Sequence, residues 1–161
     1  MTQAQGDKDT TGIVLIAKNR YSAEILNRQI RNKTIKKEYI AICCGIIDKT
    51  GIIETNIKKE TSYGIKRTVC PDGQFAKTLY IPVRSKNGNT LVKLYPETGR
   101  THQLRVHMSH IGHPLFGDYL YGTEVNGSRT MLHCEALQFI HPTTKKQVCI
   151  KAPLPDDYFI N

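Results

Sequence analysis

Apolar residues recur along the chain with two periods, which sort it into strands and helices. Gly12 to Lys18, GIVLIAK, is a short run rich in β-branched residues and predicts a buried strand. Asn19 or Ser22 can cap a helix that runs to about Arg31, with Ile25, Leu26 and Ile30 on one side. Lys37 to Ile47 reads as a central strand that Gly45 weakens or bulges. Asp48 to Gly51 is a turn into a second strand, Gly51 to Lys58, so the pair is expected to form a hairpin. Thr61 to Phe75 carries Gly64, Pro71 and Gly73 and reads as a long loop, a feature often functional in a small domain. Ala76 to Ser85 and Thr90 to Tyr95 flank Lys86-Asn87-Gly88-Asn89, a strong hairpin signal. Thr101 to Ile111 has helical spacing, with Gly112 and Pro114 placed to stop it. Met131 to Ile140 and Lys146 to Lys151 close the pattern as two strands around the turn His141 to Thr144. Many strands and few helices argue an α+β fold with a mixed, mainly antiparallel sheet. The 161 residues fit one domain spanning 1–161.

Charge changes this picture. Lys and Arg number 23 against 14 Asp and Glu, a net charge of +9. A surplus of that size fits a polyanionic partner, nucleic acid first, and equally fits a solvated basic surface. Arg28, Arg31, Lys33, Lys36 and Lys37 form a basic band that only Glu24 opposes between Lys18 and Lys37. Such a band either tracks phosphates or is a solvated helix face, and on its own it favours the latter. The five cysteines are Cys43, Cys44, Cys70, Cys134 and Cys149, and none are spaced as C-x-x-C. That argues against a zinc site or disulfide framework and for reduced thiols in a cytoplasmic protein. The polar N-terminus does not read as a signal peptide, and no apolar run has the length of a membrane span.

The densest chemistry lies in Pro96 to Gly122, PETGRTHQLRVHMSHIGHPLFGDYLYG, where charged and apolar residues alternate at fixed intervals. His102, His107, His110 and His113 invite a metal reading, and His107 and His110 share a helix face. No Glu stands with them as H-E-x-x-H and no Cys pair is near, so capping, packing or RNA contact is favoured over a metal hydrolase.

This run is similar to the most diagnostic motif of the RluA-type pseudouridine synthases, which isomerise uridine to pseudouridine in structured RNA. Two other segments extend the resemblance. DKDTTGIVLIAKN resembles the loop and strand that carry the family's catalytic aspartate, which gives Asp7 the nucleophile role and leaves Asp9 on a variable position. Read alone, Asp7 is a turn former or cap. KKEYIAICCG resembles the family's Lys-x-Tyr-x-Ala segment, whose tyrosine contacts the target base. Alone, Tyr39 is a half-packed strand tyrosine; in the family role it stacks on uracil and assists proton transfer. A carboxylate nucleophile in a closed pocket needs a cation to keep it ionised and oriented. Arg105 is the choice, because it lies on the helix beside core-facing residues. Arg100 at the helix start suits a phosphate, Leu104 an apolar wall under the base, and His102 with Lys33, Lys36 and Lys37 further RNA contacts. Asp118, Tyr121 and the His113-Pro114 turn resemble fold-defining loop residues. The tail LHCEALQFIHPTTKKQVCIKAPLPDDYF resembles the family's C-terminal end.

The resemblance implies a pseudouridine synthase catalytic domain acting on ribosomal or transfer RNA, with no cofactor or metal. A second class is a catalytically weak or inactive RNA-binding homologue that keeps the fold. Where the family reads His-Arg-Leu, this chain has Ala4-Gln5-Gly6, and the arginine that helps hold the flipped base is replaced. The opening strands and an S4-like module of the family are also missing from this sequence, so it is expected to be an N-terminally truncated domain with an exposed sheet edge.

Overall fold

A computed structural model describes residues 7–122 and 128–158. Ala4, Gln5 and Gly6, the residues in place of His-Arg-Leu, lie outside the described residues. One eight-stranded sheet dominates, in the order β1-β7-β2-β6-β5-β3-β4, with β8 also on β7. The strands are β1 (Thr11–Gly12), β2 (Lys36–Cys44), β3 (Gly51–Lys59), β4 (Arg67–Val69), β5 (Gln74–Lys86), β6 (Asn89–Pro96), β7 (Leu132–Ile140) and β8 (Gln147–Lys151). The helices are α1 (Arg20–Arg31) and α2 (Gln103–His110). Among the described residues only the β1–β7 pairing is parallel, so the sheet is mixed and mainly antiparallel.

Three expectations need correction. The run Gly12 to Lys18 is not a buried strand: pairing ends at Gly12↔Cys134, and Val14 and Ile16 face outward. The physical reason is competition for one edge. Ala136 to Ile140 of β7 is already occupied by β8, so the chain beyond Gly12 has no partner left. Ile13, Leu15 and Ala17 instead pack beside Leu26 of α1 and Leu137 and Phe139 of β7. Nor do β2 and β3 form a hairpin, because both edges of β2 are taken by β6 and β7. The chain leaves β2 at Gly45, whose N–H donates to the Gly88 carbonyl, passes the tip of the β5–β6 hairpin, and pairs β3 with β5. The third correction concerns the loop Thr61 to Phe75, which contains β4, antiparallel to β3, and the first residues of β5. In α1, Asn19 caps as expected by accepting from the Ser22 N–H at 2.8 Å, but Ile30 is exposed while Ala23, Ile25 and Leu26 are buried.

The two faces of the sheet are covered differently. Ala41, Cys43, Val92 and Leu94 meet Leu104 and Met108 of α2 on one face. Ile40, Ile42 and Leu91 meet Met131 and Tyr158 on the other. Helix α2 is buried from Gln103 to Met108 and exposed only at its end, at His110, and its sides are divided between apolar and polar partners. Gln103 and His107, one turn apart, both reach Thr78 of β5. Gln103 Nε2 donates to the Lys77 carbonyl and to Thr78 Oγ1, while its Oε1 accepts from Thr98 Oγ1 and the Arg100 N–H. With Thr78 Oγ1 accepting from Gln103, its proton goes to His107 Nδ1 at 2.9 Å, and His107 Nε2–H donates to Thr55 Oγ1 at 3.0 Å. Both anchors satisfy buried polar atoms fully, which fixes the rotation of α2 on the sheet.

Burial, with a smaller contribution from His110, pushes the His107 pKa down to about 4. In the unfolded chain an imidazole takes up its proton near 6.5, and in the fold it does not. This group therefore lowers stability as pH falls from about 6.5 to about 4, by on the order of 3 kcal/mol, and adds nothing further below. Denaturant unfolding at stepped pH should show this loss, and His107→Gln should be less stable at pH 7 but have a shallower slope across the window. An unchanged slope in the variant would assign the acid sensitivity to other groups.

Candidate active site

The rotation that points Gln103 and His107 at the sheet carries Arg105 to the opposite side of α2. There its side chain, 1% exposed, meets three carboxylates. Asp118 takes the fork in a bidentate pair, Nε to Oδ2 at 2.8 Å and Nη2 to Oδ1 at 2.7 Å. The third nitrogen, Nη1, donates to Asp7 Oδ2 at 2.7 Å and to Asp9 Oδ2 at 3.0 Å. Burial works against the Arg105 charge, but the Asp118 and Asp7 carboxylates outweigh it and raise its pKa. The rings of Tyr119 and Tyr121 lie 5.6 and 5.4 Å from the guanidinium carbon.

Two loops are shaped to deliver these carboxylates. Asp7 Oδ1 accepts from the Asp9 N–H at 3.1 Å and the Asp7 carbonyl accepts from the Thr10 N–H, so the loop is a tight turn over its own aspartate. Gly12 leaves β1 with φ +99, and a Cβ there would lie 2.3 Å from the Cys134 carbonyl oxygen, so no other residue fits. Gly117, with φ +72 and a Cβ position 2.2 Å from the Arg129 carbonyl oxygen, makes the same demand beside Asp118. Asp118 Oδ1 also accepts from the Leu120 and Tyr121 N–H groups, which ties the pair to its loop.

His102 enters the cluster from the start of α2, where it sits in the left-handed region at φ 56. Tyr121 Oη accepts from the Arg67 N–H at 2.8 Å, so its own proton goes to His102 Nδ1, also at 2.8 Å. His102 therefore presents Nε2–H toward Asp7 Oδ2, 3.9 Å away. Burial, and after it the charges of Arg105 and Arg67, hold the His102 pKa below its ordinary value despite the Asp7 carboxylate. Beside the carboxylates, Lys8, Asp9, Tyr119 and Arg129 are among the residues lining a cavity of about 360 Å³.

The other residues singled out from the sequence are placed as follows. Tyr39 shares the α2-facing side of β2 with Ala41 and Cys43 and packs on the same core cluster as Leu104. No hydrogen bond joins it to the Asp7–Arg105 cluster among the described residues, and burial, with Cys134 beside it, raises its phenol pKa. Leu104 is buried core. Arg100 is exposed and held by the Phe75 carbonyl at 2.9 Å and Gln74 Oε1 at 3.1 Å. Lys33, Lys36 and Lys37 are exposed at the α1–β2 junction and take no part in the Arg105 network. No group of three or more His, Cys, Asp or Glu among the described residues is arranged to hold a metal ion, and all five cysteines are free. No described helix is long and apolar enough to cross a membrane. The sequence reading missed that Asp9 shares Arg105 Nη1 and that Asp118 is its main partner. A buried helical arginine has more donors than one loop aspartate can accept, and that surplus was the available signal.

Residues 5–110 match the family model described as RNA pseudouridylate synthase. The chain is 44% identical over 153 residues to the Uncharacterized RNA pseudouridine synthase YjbO of Bacillus subtilis (strain 168), covering 94% of this chain and 54% of that protein. It is 35% identical over 161 residues to the Ribosomal large subunit pseudouridine synthase D of Nitrosomonas europaea, covering 94% of this chain and 47% of that protein. The solved structure titled Human RNA Pseudouridylate Synthase Domain Containing 1 superposes with a TM-score of 0.79 at 30% identity, over 92% of this chain and 66% of that one. The chain belongs to the RNA pseudouridine synthase family, of the RluA type. It spans about half the length of the curated relatives it matches.

The Arg105–Asp118 pair sets a stability prediction. Asp118→Ala strands a buried guanidinium and should cost about 3–5 kcal/mol. Arg105→Met combined with Asp118→Leu should recover little of that loss, because it also leaves the Asp7 and Asp9 carboxylates without their cation and the Leu120 and Tyr121 N–H groups without their acceptor. Denaturant titration of the three chains checks both statements, and a double variant close to the parent chain in stability would refute the second.

Proposed function

We propose that this chain carries the catalytic centre of an enzyme that isomerises uridines to pseudouridine in ribosomal or transfer RNA, in the cytoplasm. The observation that carries this reading is the buried Arg105 guanidinium holding the Asp7 carboxylate at 2.7 Å in a strongly basic protein. In the reaction the N1–C1′ bond breaks, the uracil turns, and a C5–C1′ bond forms. A proton leaves C5 and one arrives on N1, so no atom is gained or lost. The scheme uses no cofactor or metal.

Each residue then has a task. The target nucleotide must leave its stack, since C1′ and C6 cannot be reached inside a helix. Asp7 is the nucleophile, attacking sugar or base. Arg105 and the Asp9 N–H orient its two oxygens and leave lone pairs on both for the substrate. Tyr39, with its phenol pKa raised by burial, enters protonated, stacks on the base and assists proton transfer. Leu104 supports the apolar wall through the core beneath. His102, Arg100, Lys33, Lys36 and Lys37 contact the RNA.

Asp7→Asn keeps the shape but removes the anionic nucleophile. Tritium release from C5-labelled uridine in RNA should fall to background while RNA affinity stays nearly unchanged. Turnover near that of the parent chain would remove Asp7 from the mechanism. If the parent binds RNA and releases no tritium, the protein is the inactive RNA-binding homologue instead.

A further inference from the structure

We infer that the groove between β3, β4 and the start of α2 is a phosphate subsite for the RNA strand beside the reacting nucleotide, with Lys59, Arg67 and Arg100 as its cations. The inference rests on the reading of the protein as an RNA-modifying enzyme. The groove has a volume of about 430 Å³, and Asp72 is its one acidic lining residue. Lys58 Nζ already neutralises Asp72, 2.9 Å from both carboxylate oxygens. Lys59 and Arg100 form no ion pair with a described residue, and Arg67 Nη1 is buried without a hydrogen-bond partner. A guanidinium nitrogen shielded from water and left unpaired is costly, and an anion bound in the groove would relieve that cost.

Preorganisation supports the same assignment. The Phe75 carbonyl and Gln74 fix the Arg100 guanidinium with neutral acceptors, so its position is set while its charge remains free. The start of α2 beside it has no side-chain cap. The groove is also coupled to the carboxylate cluster by a short path. The Arg67 N–H donates to Tyr121 Oη, Tyr121 donates to His102, and His102 faces Asp7. A strand whose uridine reaches Asp7 passes the His102–Tyr121 pair and meets the three cations on its far side. Phosphate charges are sequence-independent, so the subsite positions the strand and does not choose the target.

The test measures equilibrium binding of a short oligouridylate RNA at stepped salt for the parent chain and for Arg67→Gln, Lys59→Gln and Lys49→Gln. Lys49 lies in the exposed turn before β3 and carries the same charge. Each groove variant should weaken binding and reduce the log–log salt slope by about 0.7, the value for one phosphate contact on a single strand. Lys49→Gln should leave the slope as in the parent. The assignment is overturned if the groove variants keep the parent slope, or if all three variants lose slope equally and only net charge matters. Thermal unfolding accompanies each titration; should Arg67→Gln fail to fold, the exposed Lys59→Gln decides alone. Turnover is measured separately, by tritium release from the same chains. A chain that binds through the groove yet forms no pseudouridine overturns the functional reading and leaves the subsite standing; one that forms pseudouridine with unchanged slopes overturns the subsite alone.

Discussion

The arrangement of this molecule depends on one buried guanidinium. Removing the Arg105 charge from water is expensive, and the cost is offset only when its donors are matched by close, well-aligned acceptors. Asp118 supplies a bidentate partner from the loop after α2, and Asp7 and Asp9 supply the rest from the segment before β1. Segments nearly a hundred residues apart are thus fastened to one side chain. A looser contact would leave a buried charge uncompensated, so the same requirement that stabilises the fold also positions Asp7.

Helix α2 can hold that arginine in place because none of its sides is free. Apolar residues Leu104, Val106 and Met108 fill two clusters, while Gln103 and His107 lock onto Thr78 and Thr55. Apolar packing alone tolerates small rotations, whereas a hydrogen-bonded pair one turn apart does not. The sheet below is rigid for a related reason: β2, β6 and β5 are central strands paired on both edges. The wide register of β5 with both β3 and β6 carries Thr78 to its place under the helix.

Around this core the charge is divided between two regions. Asp7, Asp9 and Asp118 gather on the Arg105 side of the His102–Tyr121 pair, and Lys59, Arg67 and Arg100 line the groove on the other. Tyr121 connects them by accepting from the backbone of one and donating to the histidine of the other. Such a division suits a polyanion whose one nucleotide must enter a site of local negative charge while its backbone is held outside.

By itself, the sequence determined the local features. Asn19 caps α1 through its own side chain, Asn87-Gly88 turns the β5–β6 hairpin, and Gly112 and Pro114 follow the end of α2. Each is decided by a few neighbouring residues, whose chemistry does not wait for the rest of the chain. Arg105 and Asp7 were legible as a pair through the resemblance of their segments to a known motif. What only the tertiary structure decided was competition for partners. Ile13 to Ala17 has the composition of a strand and is not one, because β8 holds the edge of β7. β2 and β3 are joined by a turn and do not pair, because β6 and β7 hold both edges of β2. Asp9 and Asp118 read as a variable residue and a loop former, yet both bind Arg105, because a buried guanidinium collects every acceptor within reach. Pairing edges and buried charges are satisfied by whatever the whole fold brings near, and no local window of sequence contains that information.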